Sequence, residues 1–267
     1  MRYRISNKFL PLIFAAALPM ALPVLAQRGG GGGRGGAPRA PEAAEPIDLT
    51  GYWVSVVDED WRFRMVTPAL GDYQGVPMTP AARTVADAWD PAKDEAAGEQ
   101  CKSYGAPALL RVPEHLHITW QDPQTMKLET DAGKQTRLFH FGNWKAPAGP
   151  ASLQGDSLAA WEVPARGRGA AAAPDPSEPP QGKGSLKVTT THLKAGYLRK
   201  NGVPYSENAV LEEYYDMIRE HNNATMLVVT TVVTDPQYLR EPFIITSQFK
   251  KQDSDAGWTP SACSARW

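Results

Sequence analysis

The sequence predicts an all-β fold, an antiparallel barrel of about ten strands with one short helix. Three observations carry that expectation. The runs Val210–Arg219, Met226–Thr234 and Pro242–Lys250 read as consecutive strands, rich in β-branched and aromatic residues and joined by polar turns holding Asn222, Asn223, Asp235 and Pro236. Shorter runs of the same kind recur upstream, each bounded by Pro, Gly or Asp. Helix start and stop signals occur convincingly in one stretch alone. A meander of this kind exposes unpaired edges unless it closes, so a closed or nearly closed barrel is favoured over a sandwich.

Taken in order, the chain opens with the plan of a secretory signal at 1–26. Arg2, Arg4 and Lys8 precede the apolar stretch Phe9–Leu25, and Val24-Leu25-Ala26 supplies a small-residue cleavage site. Pro11, Pro19 and Pro23 interrupt it, which argues against a membrane anchor, and no later segment approaches the roughly 20 apolar residues of a span. Its removal takes three positive side chains from a formal net charge of −1 and leaves −4. With no cationic cluster in the folded part, nucleic acid is not an expected partner. Residues 27–46, a Gly, Arg, Ala and Pro tract, read as a disordered tether. Residues 47–267 read as one barrel domain.

Within that domain Gly51-Tyr52-Trp53 opens the first strand, which runs on through Val57, and Trp61–Val66 reads as a second strand after an acidic turn. Thr79–Trp89 is the helix, with Thr79 as N-cap, Pro80 at the first helical position and Pro91 beyond its end. Strands are then expected at Leu109–Val112, His115–Gln121, Met126–Thr130, Gln135–Phe141 and Ser157–Val163. Residues 165–183, rich in Ala and Pro, read as a low-complexity insertion in a hairpin, because the strand Ser185–Leu193 resumes directly after it. Asn201-Gly202 marks the turn that precedes the C-terminal meander.

The only two cysteines, Cys101 and Cys263, are candidates for one disulfide in an oxidising compartment, the alternative being two free buried thiols. Bridged, they would close a long loop and stabilise the fold by about 4 kcal/mol. Neither lies in a C-x-x-C pair, which argues against a zinc site built on them.

An ordered set of short pieces also runs along the chain. They are Cys101-x-x-x-Gly105-x-Pro107 leading to Arg111, Gln154-Gly155-x-Ser157 leading to Trp161-Glu162, Gly202-x-Pro204-x-Ser206 leading to Glu212, and Asp235-Pro236-Gln237-Tyr238 leading to Pro242. With Gly51-x-Trp53 at the first strand and Cys263 near the end, the chain resembles a broad group of secreted, mostly uncharacterised lipocalin-like (calycin-type) β-barrel proteins of soil bacteria. The resemblance implies export, a disulfide and a barrel, and brings no activity with it. It departs from the group where residues 165–183 separate Trp161-Glu162 from Gly184-Ser185.

Several side chains are candidates for chemistry. His115 and His117 alternate with Leu116 and Ile118, so a strand presents both imidazoles on one face; with His140 they form the candidate metal set, which Glu162 or Glu212 could complete. His192, Glu212 and Tyr214 are the candidate catalytic residues, as general acid, general base or hydrogen-bond donors. Arg111, Arg137, Trp161 and Tyr205 are candidate ligand-binding residues, cationic anchors beside aromatic walls. A buried Arg among them requires a carboxylate nearby. No nucleophile motif and no phosphate-binding glycine loop is present, and no cofactor is named by the sequence. The reading is a periplasmic or secreted barrel that binds a small, partly apolar molecule in its interior. The alternative is a periplasmic lyase, isomerase or hydrolase on the same barrel, using His and Glu residues with or without a metal, since fold alone does not separate a carrier from a catalyst.

Overall fold

The structure is a computed structural model that describes residues 40–163 and 184–266. The expected export signal, residues 27–39 of the expected tether and the expected insertion at 165–183 lie outside the described residues.

A two-residue period of burial organises the chain. It runs through β1 (Gly51–Val56), β2 (His115–Asp122), β3 (Thr125–Thr130), β4 (Thr136–Phe141), β5 (Asp156–Glu162) and β6 (Ser185–Thr191). A two-stranded hairpin, β7 (Gly196–Tyr197) with β8 (Pro204–Tyr205), stands apart. The long meander β9 (Val210–Arg219), β10 (Thr225–Thr234) and β11 (Phe243–Gln252) completes the set. Each barrel strand so turns one face to a shared interior. The closed barrel has the order β1-β11-β10-β9-β6-β5-β4-β3-β2, and β1 pairs with both β11 and β2.

Nine strands cannot close with every neighbour antiparallel, because directions would have to alternate around a ring of odd number. One seam is parallel. It joins β4 to β5, with Phe139 opposite Ser157, and departs from the all-antiparallel expectation. The connection 142–155 must therefore run the length of the barrel, and it ends where Leu153 accepts a hydrogen bond from the Ala106 N–H and Gln154 Nε2 donates to the Tyr104 carbonyl.

Among the described residues four short α-helices stand where a single one was expected: α1 (Trp61–Arg64), α2 (Pro80–Asp87), α3 (Pro91–Ala96) and α4 (Ala106–Leu109), all between β1 and β2. The helix read at Thr79 is α2, and the Thr79 hydroxyl caps it by accepting from the Ala82 N–H at 3.2 Å. Two expected strands do not form, a short helix or a helix end with a turn standing in their place. Trp61–Val66 alternates aromatic with basic residues as a strand would, but every place in the ring is filled, and the segment instead buries Arg64 alone while Trp61 stays exposed. Leu109–Val112 instead ends α4 at Leu109 and continues as a turn, in a buried run opened by Pro107 that is apolar except for Arg111, a pattern that periodicity alone cannot assign.

These helices, with the segment carrying β7 and β8, cover one end of the barrel. Ala82 and Ala86 of α2 pack there with Val203, Tyr205, Leu211, Val233 and Phe243. At the opposite end residues 41–49, read in part as tether, seat on the barrel: Trp161 Nε1 donates to the Pro41 carbonyl, Trp120 Nε1 to Glu45 Oε2, and Ile47 and Leu49 are buried. The tail after β11 runs back along the outside to the capped end, where Ser261 pairs beside Ala132 and Cys263 is bonded to Cys101 across 162 residues of sequence. The expected disulfide is thus present. No helix among the described residues is long and apolar enough to cross a membrane.

The middle of the barrel is solid. Trp53, Leu116, Leu128, Phe139, Val188, Tyr215, Val229 and Phe249 are all 0% exposed. Packing this dense is that of a core, and the expected interior cavity is filled at this level.

Candidate functional site

Polar groups gather between the packed middle and the cap. Arg137, on the inner face of β4, is wholly buried and reaches across to Glu213 of β9 through two bonds, Nη1 to Oε1 at 2.8 Å and Nη2 to Oε2 at 2.6 Å. Nη2 also donates to Thr190 Oγ1 at 3.2 Å, and Thr190 shares a 2.7 Å hydrogen bond with Ser157. Burial alone would favour neutral Arg137, yet Glu213 beside it holds the guanidinium above its ordinary value. Burial pushes the Tyr215 hydroxyl upward, with Glu213 adding to the effect. A pair this dry is costly to break, about 3–5 kcal/mol when one partner is lost.

Above this level the cap lays down more cations than anions. Arg64, 2% exposed, donates from Nε to the Arg111 carbonyl at 2.9 Å. Arg111 Nη2 reaches Asp60 Oδ2 at 3.2 Å. Arg199, 4% exposed, donates to the Gln74 carbonyl at 2.7 Å and lies 4.0 Å over the Phe63 ring. Lys200 donates to Tyr104 Oη at 2.8 Å. All four, with Phe63 and Ser103, line a crevice of about 20 Å³, room for one water-sized group. Burial lowers each of them from its ordinary value; Arg199 comes down to about 10, with Arg111 adding to the effect, and Lys200 to about 7, with Glu114 opposing.

Glu114 completes the cluster. It is 5% exposed, and burial followed by Asp131 raises its carboxyl well above the ordinary range against the pull of Arg64, Arg137 and Lys200. Neither of its oxygens has a hydrogen-bond partner, and the same holds for Arg64 Nη2, Arg199 Nε, Asn201 Oδ1, Tyr205 Oη and Ser247 Oγ. Buried polar atoms are nearly always satisfied, so the orphans Arg64 Nη2 and Arg199 Nε, on residues that line the crevice, mark where water or a ligand belongs.

The sequence candidates are dispersed over the molecule. Arg137 and Arg111 lie at the capped end as described. Tyr205 is buried beneath α2, its hydroxyl lodged against Gly105 and Gly196, where a Cβ would stand 2.0 and 2.6 Å away. Trp161 is at the other end, packed with Trp120 and Phe141. Glu212 and Tyr214 face outward, Glu212 Oε1 2.7 Å from Lys187 Nζ, while their neighbours Glu213 and Tyr215 face in. His192 is on the surface, Nδ1 2.8 Å from Asp156 Oδ2. His115 and His117 share the outer face of β2, as their spacing predicts, but each has its own company. His115 Nδ1 meets Asp131 Oδ2 at 2.7 Å, and His117 stacks on Tyr52 with ring centroids 4.1 Å apart. His140 stacks on Trp144 at 3.9 Å, and burial lowers its imidazole from the ordinary value. Among the described residues no three His, Cys, Asp or Glu side chains form a group that could hold a metal ion.

Sequence reasoning missed Arg64, Glu114, Asp131 and Glu213. Glu114 was within reach, since it precedes β2 by one residue and lies two residues before the buried Leu116, whereas the period of β9 leaves the choice between Glu212 and Glu213 open. Compared with family models, curated proteins and solved structures, the chain matches none.

Proposed function

We propose that this chain is an exported small-molecule binding barrel whose ligand presents an anionic group to the crevice of Arg64, Arg111 and Arg199 under the cap. The reading rests on one observation, the buried guanidinium donors Arg64 Nη2 and Arg199 Nε that lack partners beside a water-sized space. Guanidinium groups suit carboxylate or phosphate oxygens, and a charge-assisted hydrogen bond formed out of water is stronger than a neutral one. Space for one oxygen means that the rest of the ligand lies outside the crevice. The segment that supplies Arg64 also exposes Trp61, Met65, Val66 and Leu70, an apolar surface fitting a partly apolar ligand. Export accords with the leader-like N-terminus, the disulfide and the likeness to secreted lipocalin-like barrels.

The test uses benzoate and inorganic phosphate as probes in thermal unfolding of the full chain, with native mass spectrometry of the protein purified from the periplasm. Benzoate is expected to raise Tm in proportion to occupancy, and Arg64→Gln is expected to abolish the rise. Equal behaviour of Arg64→Gln and the parent, or no response to either probe together with no co-purified anion, would overturn the reading.

A further inference from the structure

A second pocket lies on the outer wall of the capped end, of about 400 Å³, bounded by Val54, Glu114, His115, Asp131, Gly257 and Thr259 among others. It shares no lining residue with the cationic crevice. Asp131 is held there by backbone groups. Its Oδ1 accepts from the N–H of His115 at 2.8 Å and of Ala132 at 2.7 Å, and its Oδ2 accepts from the N–H of Thr259 at 3.3 Å. Oδ2 also stands 2.7 Å from His115 Nδ1. A carboxylate at that distance keeps the proton on Nδ1 and leaves the lone pair on Nε2, the arrangement that a second-residue carboxylate imposes on a basic imidazole.

Nε2 has no hydrogen-bond partner among the described residues and faces Gly257. A Cβ at Gly257 would stand 2.9 Å from it, and that residue has φ of +90°, so glycine both permits the backbone turn and leaves the nitrogen clear. The lining offers the Asp131 carboxylate, hydroxyls and apolar surface, with no Lys or Arg, while the oxygens of Glu114 are kept from solvent. That wall disfavours anions and suits an uncharged substrate.

We propose that His115 is a general base, positioned by Asp131, that activates water for attack on the carbonyl carbon of an uncharged ester in this pocket. In the step, Nε2 takes a proton from water as the water oxygen bonds to the carbonyl carbon. The bond from that carbon to the alcohol oxygen then breaks, the imidazolium returns its proton to the departing alkoxide, and acid and alcohol leave. His115 would be the catalytic residue and Asp131 the positioning residue.

The experiment measures hydrolysis of 4-nitrophenyl acetate by the full chain. Saturable turnover is expected, falling about a hundredfold in His115→Gln, the scale of a lost general base. His221→Gln, on the exposed turn between β9 and β10, is expected to match the parent. Asp131→Asn presents an amide to Nδ1 and so moves the imidazole proton to Nε2. It should lower kcat with KM kept, and nitrogen-15 NMR should register the change of tautomer. Turnover no faster in the parent than in His115→Gln would overturn the proposal. So would a parent spectrum with the His115 proton on Nε2, a reading that requires no variant to fold.

Discussion

Glu114 is a carboxyl group kept from water with nothing donating to its oxygens, and its protonation is where the capped end meets solution pH. Its folded-state pKa is raised, so folding favours the protonated form. Above the ordinary value of 4.5 the unfolded chain releases a proton that the folded chain retains, and stability falls as pH rises towards the folded value. Below 4.5 both states are protonated and the effect is constant. Glutamine has no such proton. Glu114→Gln is therefore expected to gain stability relative to the parent progressively above pH 4.5, in urea unfolding followed from pH 4 to 8, with a level difference at the acid end. The residue scale is also where the sequence was hardest to read. A strand's period says that Glu212 and Glu213 face opposite ways but not which enters the barrel, and a shift of one residue exchanges them. Burial of Leu211, Glu213 and Tyr215 decides it, a fact of packing rather than of pattern.

At the scale of elements, α2 was legible because its signals are local. Thr79 accepts from the Ala82 N–H and donates to the Gln237 carbonyl at 3.1 Å, so one hydroxyl ends the helix and ties it to the β10–β11 connection. Thr79→Ala is expected to cost about 1 kcal/mol in chemical unfolding, the ordinary worth of an N-cap. The meander was legible for the same reason, its turn residues and β-branched runs being neighbours in sequence. α1 and α4 were not, because each is too short to show a helical period and owes its shape to what it covers. The parallel seam left no mark either. Nothing in residues 136–141 or 156–162 states direction; the connection between them does, and only by travelling from one end of the barrel to the other.

For the whole molecule the disulfide is the longest-range constraint that the sequence disclosed, since two cysteines allow one pairing. It fixes the tail to the cap beside Tyr104 and Val112. Replacing both cysteines by serine, or adding reductant, is expected to cost about 2–5 kcal/mol and to lower Tm without altering the far-ultraviolet circular dichroism of the barrel. The cationic cap was beyond sequence reach, because Arg64, Arg111 and Arg199 come from separate segments and meet only after the ring has formed.

The seam between β1 and β11 sets Tyr52 opposite Gln252, so the first strand made is the last to be paired on that flank. A nascent chain cannot shut the ring until its final strand has emerged, and such distant pairing is slow to form. Until then β1 and β10 are raw edges, open to strands of other chains. Completeness of the polypeptide is thus a condition for leaving the aggregation-prone state. A truncation before Phe243 would remove one strand but unseal two, turning a barrel without edges into one with a site for association at each flank.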